Sequence, residues 1–222
     1  MHDAAHRLVY LVDGDDFSRK ITADLLGKAG FLVRECDGGG ALLRGGAFAD
    51  NACILLDLNL RDCSAMQVLR AIQAQTPAPF VIVTAENGPV TAAVQAMKLG
   101  ALDFLVKPLA GARLLQSLDE AFRQLASRKR SLDSLREAQT RLGCLTRREK
   151  DVLCGLVHGK ANKVIAHCLG ISPRTVEIHR ANLMSKLGAA NLSEVLRIAF
   201  TAGITAINDE PDENISGREA AA

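Results

Sequence analysis

Apolar runs of strand length alternate with helix-length segments through the first 126 residues, and this alternation narrows the fold more than anything else in the chain. The runs cover residues 8–12, 31–33, 53–56, 80–83 and 102–106. Helical segments lie around 21–29, 41–48, 66–75 and 90–99, and a last one follows over 109–125. Repeated βα units of this length predict an α/β domain with a five-stranded, doubly wound parallel sheet covered on both faces. In such sheets the chemistry gathers beyond the carboxyl ends of the strands.

The polar residues at those ends are Asp13, Asp57, Thr84 and Lys107, after the first, third, fourth and fifth runs. All four are expected to face one crevice. A carboxylate, a hydroxyl, an ammonium and further acids compose a phosphoryl-acceptor site. In it Asp57 is the nucleophile, Lys107 and Thr84 bind the transferred group, and a divalent cation held by carboxylates neutralises the phosphoryl oxygens.

The second half of the chain reads differently. The stretch Ile171-Ser172-Pro173-Arg174-Thr175-Val176-Glu177-Ile178-His179-Arg180-Ala181-Asn182 begins with a Ser for the N-cap and a Pro for the first helical position. Upstream, residues 160–169 form a short amphipathic helix with Val164, Ile165, Cys168 and Leu169 at helical spacing, closed by Gly170. Two helices joined through a glycine are a DNA-reading unit whose second helix enters the major groove. Around them, Thr146 and Glu149 make a capping box for a helix with Val152, Leu153, Leu156 and Val157 on its apolar face. Gly188 stops the recognition helix. Asn191 with Glu194 opens a last helix carrying Leu192, Val195, Leu196 and Phe200. An all-α, four-helix helix-turn-helix domain is expected over 143–207.

The charge distribution agrees. Residues 141–200 hold ten Lys and Arg against four Asp and Glu, whereas residues 1–126 hold twelve against fourteen, although the whole chain carries only +2. The basic excess sits where the DNA-reading unit sits. Lys163, Arg174, His179, Arg180 and Lys186 are the candidates for phosphate contact, which positions a protein on DNA without choosing sequence.

At the level of whole motifs, "LTRREKDVLCGLVHGKANKVIAHCLGISPRTVEIHRANLMSKLGA" over 145–189 resembles the LuxR/FixJ-type DNA-binding domain. "LLDLNL", "VIVTA" and "DFLVKPL" resemble the receiver domain of bacterial two-component response regulators, a flavodoxin-like fold, over residues 6–124. Together they look like the NarL/FixJ regulators, the FixJ branch in particular. The resemblance implies that Asp57 is the phosphorylated aspartate and that Asp13, Asp57 and the backbone carbonyl of Asn59 hold Mg²⁺. It makes Thr84 and Phe104 paired switch residues. It also places Glu177, Ile178 and Ala181 toward the groove, with Thr175 and Val176 near the helix start. A Glu can accept from cytosine N4, and Ile or Ala can pack on a thymine methyl. The implied partners are double-stranded DNA, a histidine kinase, RNA polymerase and a second copy of the chain.

One departure matters. The family places two adjacent acids after the first strand, and here the chain reads Val12-Asp13-Gly14-Asp15-Asp16. Gly14 removes a direct metal ligand unless the loop slips and presents Asp15 instead, and Mg²⁺ tolerates little distortion of its coordination. Arg61 and Ala65 stand where the family commonly has Pro and Gly. A receiver that works without phosphate is therefore one alternative. Another is a phosphatase using Asp57 as a covalent nucleophile, disfavoured because no cap insertion is readable and a DNA-binding domain is attached. A quorum-type ligand sensor would share only the C-terminal domain.

The 222 residues, 48% of them hydrophobic, suit two small domains: 1–126, then a helical linker over 127–142, then 143–207. The linker carries Leu132, Leu135 and Leu142 at loosely helical intervals, too few heptads to establish a coiled coil. Residues 208–222 read as a disordered acidic tail. No apolar run is long enough to cross a membrane and the N-terminus lacks a signal layout, so a cytoplasmic location is expected. The six cysteines, Cys36, Cys53, Cys63, Cys144, Cys154 and Cys168, show no zinc spacing and read as reduced, mostly core residues. Cys63, near the proposed acceptor loop, is the one candidate for redox sensing.

Overall fold

The structure, a computed structural model, describes residues 7–49 and 51–205. The described residues form two compact units, divided between Lys129 and Arg130. The tail expected over 208–222 lies outside the described residues.

In the first unit, β1 (Leu8–Val12), α1 (Asp16–Lys28), β2 (Leu32–Cys36), α2 (Gly39–Arg44), β3 (Ala52–Asp57), α3 (Ala65–Gln73), β4 (Phe80–Ala85), α4 (Val90–Lys98) and β5 (Asp103–Val106) follow in strict alternation. The strands pair in parallel in the order β2-β1-β3-β4-β5. Because side chains alternate across a strand, each inner strand feeds two cores. Val9, Leu11, Cys53, Leu55 and Ile82 pack with Leu26 of α1 and Leu114, Leu118 and Phe122 on one face. Tyr10, Val12, Ile54, Leu56, Val81 and Val83 pack with Val68, Leu69 and Ile72 of α3 on the other. Burial on both faces explains why these strands read as unbroken apolar runs. The edge strand β2 is the exception. It runs over Leu32–Cys36 rather than 31–33, and its exposed Arg34 and Glu35 interrupt the apolar pattern.

The last helix of this unit is longer than the pattern predicts. α5 extends without a break over Gly111–Gly143, taking in the segment read as a linker. Phe122 and Leu125 belong to the first core and Leu142 to the second, while Leu132 is exposed.

The second unit is formed by the end of α5 with α6 (Arg147–Val157), α7 (Asn162–Leu169), α8 (Pro173–Leu187) and α9 (Leu192–Thr201). Thr146 and Glu149 make the expected capping box: the Glu149 N–H donates to Thr146 Oγ1 at 3.3 Å and the Thr146 N–H to Glu149 Oε2 at 2.7 Å. Gly170 sits at φ 65°, ψ 32°, the left-handed conformation that turns α7 into α8 and that a side chain would strain. Gly155 lets α7 approach α6 closely, since a Cβ there would meet Ile165 at 2.7 Å.

Some expected faces are rotated. Val164 and Cys168 of α7 are exposed, and Ile165 and Ala166 are the buried pair. In α9 Leu192 and Phe200 lie largely outside the core, which uses Val195, Ile198 and Ala199. Of the cysteines only Cys53 is fully buried; Cys144 and Cys168 are exposed. Among the described residues no helix is long and apolar enough to cross a membrane.

Candidate phosphoryl-acceptor site and nucleic-acid interface

Strand order explains where the first site lies. The chain leaves β1 toward β2 on one side and returns to β3 on the other, so a crevice opens beyond the carboxyl ends of β1 and β3. Asp13 follows β1, Asp57 ends β3, and Thr84 stands opposite Asp57 in the β3–β4 register. All three are about 3% exposed. Lys107, just past β5 at a cis peptide bond to Pro108, reaches across the crevice. Its Nζ donates to Asp13 Oδ2 at 2.8 Å and pairs with Asp57 Oδ2. The four strand-end residues therefore meet in one place.

The electrostatics are those of a cation clamped between two acids. Burial pushes the Asp13 carboxyl up. The Lys107 ammonium, the Asp15 N–H at 2.8 Å and the Ser18 hydroxyl at 2.8 Å outweigh it and hold the group below the ordinary aspartate value. Burial likewise opposes charge on Lys107, and its hydrogen bonds to Asp13 and Asp57 overcome that and raise its pKa. Asp57 Oδ1 accepts from the Asn59 N–H at 2.7 Å, which folds the β3–α3 loop back over the carboxylate.

The residues available to a divalent cation in the crevice are the Asp13 and Asp57 carboxylates, with the Asn59 backbone on the adjoining loop. Among the described residues no group of three or more His, Cys, Asp or Glu gathers there or elsewhere. A set this small suits Mg²⁺, which keeps several waters and takes one or two carboxylates plus phosphoryl oxygens. The Asn59 carbonyl oxygen lies 3.4 Å from where a Cβ on Gly14 would stand, so position 14 borders the carbonyl that the resemblance assigns to the metal. Asp15 does not replace the missing acid. Its side chain caps α1, accepting from the Ser18 N–H at 2.7 Å, and it faces solvent.

The half-buried Phe104 packs under the β4–α4 loop, where a Cβ on Gly88 would touch its ring at 2.5 Å. Cys63 contrasts with a redox-active thiol: partial burial and the neighbouring Asp62 carboxylate push its pKa up, away from the thiolate such chemistry needs. Strand-end reasoning passed over Ser18 and Arg19, which hold Asp13 from α1; Arg19 donates to the Asp13 carbonyl at 2.7 Å. Their signal was present in the N-cap spacing from Asp15 to Ser18.

The second site is α8. Ser172 caps it, accepting from the Thr175 N–H at 3.1 Å, and its hydroxyl also bonds Thr175 Oγ1 at 2.8 Å. Arg174, Glu177, Ile178 and Ala181 are exposed and recur at intervals of three and four, so they share one face. Ile178, 54% exposed, is an apolar side chain offered to solvent at the centre of that face. Lys163 is exposed on α7, and Thr175, His179 and Arg180 are half-buried.

Two of the expected DNA contacts are placed otherwise. Val176 is completely buried against Ile165, because it lies on the same face as Leu183 and Leu187, seven and eleven residues on. Lys186 is tied to the buried Glu149, Nζ to Oε2 at 2.8 Å, and this bond leads the effects that hold the Glu149 carboxyl below its ordinary value. Arg180 is partly engaged as well, donating to Asn162 Oδ1 at 2.7 Å.

Comparison with known proteins matches both units to families. Residues 9–119 match the response regulator receiver domain and residues 144–199 the bacterial regulatory proteins of the luxR family. The transcriptional regulatory protein FixJ of Azorhizobium caulinodans is 40% identical, over 90% of this chain and 95% of that protein. Among solved structures, the response regulator StyR superposes with a TM-score of 0.75 at 29% identity, covering 88% of this chain and 99% of the other. Full-length FixJ from B. japonicum gives 0.54 at 36% identity, over 89% and 97%.

Proposed function

Because this chain belongs to the two-component response regulators that join a receiver domain to a LuxR-type DNA-binding domain, we propose that it switches transcription through phosphorylation of Asp57. The observation that carries this reading is the Lys107 ammonium held between two buried carboxylates at the switch point of the sheet. A histidine kinase supplies the phosphoryl group: one oxygen of Asp57 attacks its phosphorus as the phosphorus–nitrogen bond to the kinase's histidine breaks and the imidazole leaves with that electron pair. Lys107 then moves its bond from Asp57 to a phosphoryl oxygen, and the Thr84 hydroxyl takes another. Asp13, Asp57 and the Asn59 carbonyl would hold Mg²⁺, which supplies charge neutralisation when bound.

The Thr84 movement draws Phe104 from its seat against Gly88 and shifts the population toward a homodimer, a shift that needs different affinities in the two states. The dimer reads DNA through the exposed face of α8, with Arg174 and Lys163 on phosphates and Glu177, Ile178 and Ala181 on bases. Thr175, His179 and Arg180 flank that face. The functional division runs 1–126, 127–142 and 143–207, the location is the cytoplasm, and RNA polymerase is the downstream partner. The role is that of a transcription factor rather than a phosphatase.

Gly14 favours a second reading, a receiver that acts without phosphate. Incubation with acetyl phosphate and Mg²⁺, with dimerisation and DNA binding followed in the same samples, separates the two. Asp57-dependent labelling that tightens DNA binding supports the switch; intact DNA binding with no label supports the phosphate-independent regulator.

A further inference from the structure

Gly14 has no side chain to offer a cation, and the side chain standing in its space is that of Arg61. A Cβ on Gly14 would lie 3.2 Å from Arg61 Cγ and 3.4 Å from the Asn59 carbonyl oxygen. The aliphatic stem of Arg61 thus covers the backbone beside the acceptor crevice, in the volume an acid at position 14 would need. Arg61 is exposed and makes no hydrogen bond or ion pair among the described residues. Its charge nonetheless reaches α1: the Asp16 carboxyl is held low chiefly by its bond to Arg19, with Arg61 adding to it. Lys107 and Arg19 are both engaged by acids, whereas the Arg61 side chain, anchored by its stem beside Gly14 and the Asn59 carbonyl, keeps its donors free of hydrogen bonds and ion pairs among the described residues. A planar, weakly hydrated fork of five donors matches phosphoryl oxygens better than any other side chain.

We propose that Arg61 contacts the phosphoryl group during transfer to Asp57, neutralising the side of it that a cation bound to an acid at position 14 would otherwise cover. This rests on the phosphoacceptor reading of Asp57. With acetyl phosphate, an Asp57 oxygen forms the new bond to phosphorus with its own electron pair. The bond from phosphorus to the bridging oxygen breaks, and acetate leaves with that pair. No proton, electron or further reactant is required, and the guanidinium remains in place as a fixed partner of the oxygens.

The test uses the full chain, with labelling by acetyl phosphate followed by intact mass and Mg²⁺ binding followed separately by amide NMR shifts around Asp13 and Asn59. Arg61→Ala should slow labelling at saturating Mg²⁺ about tenfold, the worth of one hydrogen bond to a charged group. It should leave resting Mg²⁺ affinity equal or tighter, since a nearby positive charge has gone. Arg61→Lys should recover part of the rate. Gly14→Asp should tighten Mg²⁺ binding and shrink the effect of Arg61→Ala in the double variant. Labelling of Arg61→Ala at the wild-type rate, or a joint loss of rate and Mg²⁺ affinity, overturns the assignment while leaving Asp57 as acceptor. Absence of Asp57-dependent label in the wild type overturns the acceptor reading and this inference with it.

Discussion

The acceptor crevice and the recognition helix solve opposite problems. In the crevice, Asp13, Asp57 and Thr84 are buried and each acid has a partner in the resting protein, so a ligand must displace contacts that already exist. On α8, Arg174, Glu177, Ile178 and Ala181 face solvent, and the core lies on the other side of the helix. A buried site is held ready by charge; an exposed one is held ready by the rigidity of the helix beneath it. The two should therefore fail differently when residues are removed.

The sharpest contrast comes from Asp57→Ala, which should abolish phosphorylation completely and leave basal DNA affinity unchanged. Labelling and fluorescence anisotropy on one preparation check this, and retained label would place the acceptor elsewhere. Lys107→Ala leaves two acids buried together without their cation, and should destabilise the first unit by about 3 kcal/mol, measured by amide hydrogen exchange in β3 and β4. The pH dependence has a definite sign. Asp13 is held low, so its stabilisation is present above its ordinary value of 3.8 and is lost as pH falls through the lowered one. Lys107 is held high, so its stabilisation is present below 10.5 and is lost as pH rises through the raised value.

Within α8 itself, Val176→Ala removes buried methyl groups and should cost the second unit about 2 kcal/mol in hydrogen exchange. Ile178→Ala should leave exchange unchanged and weaken DNA binding by about 1 kcal/mol, confined to sites that present a thymine methyl. If both variants lose only stability, Ile178 is not a reading residue. The smallest effect expected is that of Glu149→Gln. It should cost about 1 kcal/mol by weakening the Lys186 bond, and it should remove the part of the second unit's stability that wild type loses as pH falls below about 4.5 through the lowered Glu149 value.

How much of this was legible in the sequence depends on which physical signal each residue carries. Strands buried on both faces are continuous apolar runs, so β1, β3 and β4 could be located without coordinates, and the edge strand β5 was found because Phe104, Leu105 and Val106 are apolar although only Leu105 is buried; with these strands came Asp13, Asp57, Thr84 and Lys107. β2 was displaced because an edge strand tolerates Arg34 and Glu35. The capping box and Ser172-Pro173 were readable because local hydrogen bonds need only fixed spacing. Which face of a two-turn helix is buried was not, as Val164 and Cys168 show: eight residues give too few repeats to fix the direction of the apolar side. Val176 was assigned to DNA by likeness, although its spacing to Leu183 and Leu187 already placed it with the core. The packing of Arg61 over Gly14 joins loops 47 residues apart in sequence, and no local pattern encodes it.

The bond between Lys186 and Glu149 has a further consequence, for the thermodynamics of DNA association. A cation that neutralises a phosphate releases condensed counterions, and each such contact makes the slope of log affinity against log salt more negative by about 0.9. Lys186 already has an anion inside the fold. It releases none on binding unless DNA draws it away from Glu149, so the number of ions set free should fall short of the number of basic residues around the helix, and that shortfall is a count of the cations the domain keeps for itself.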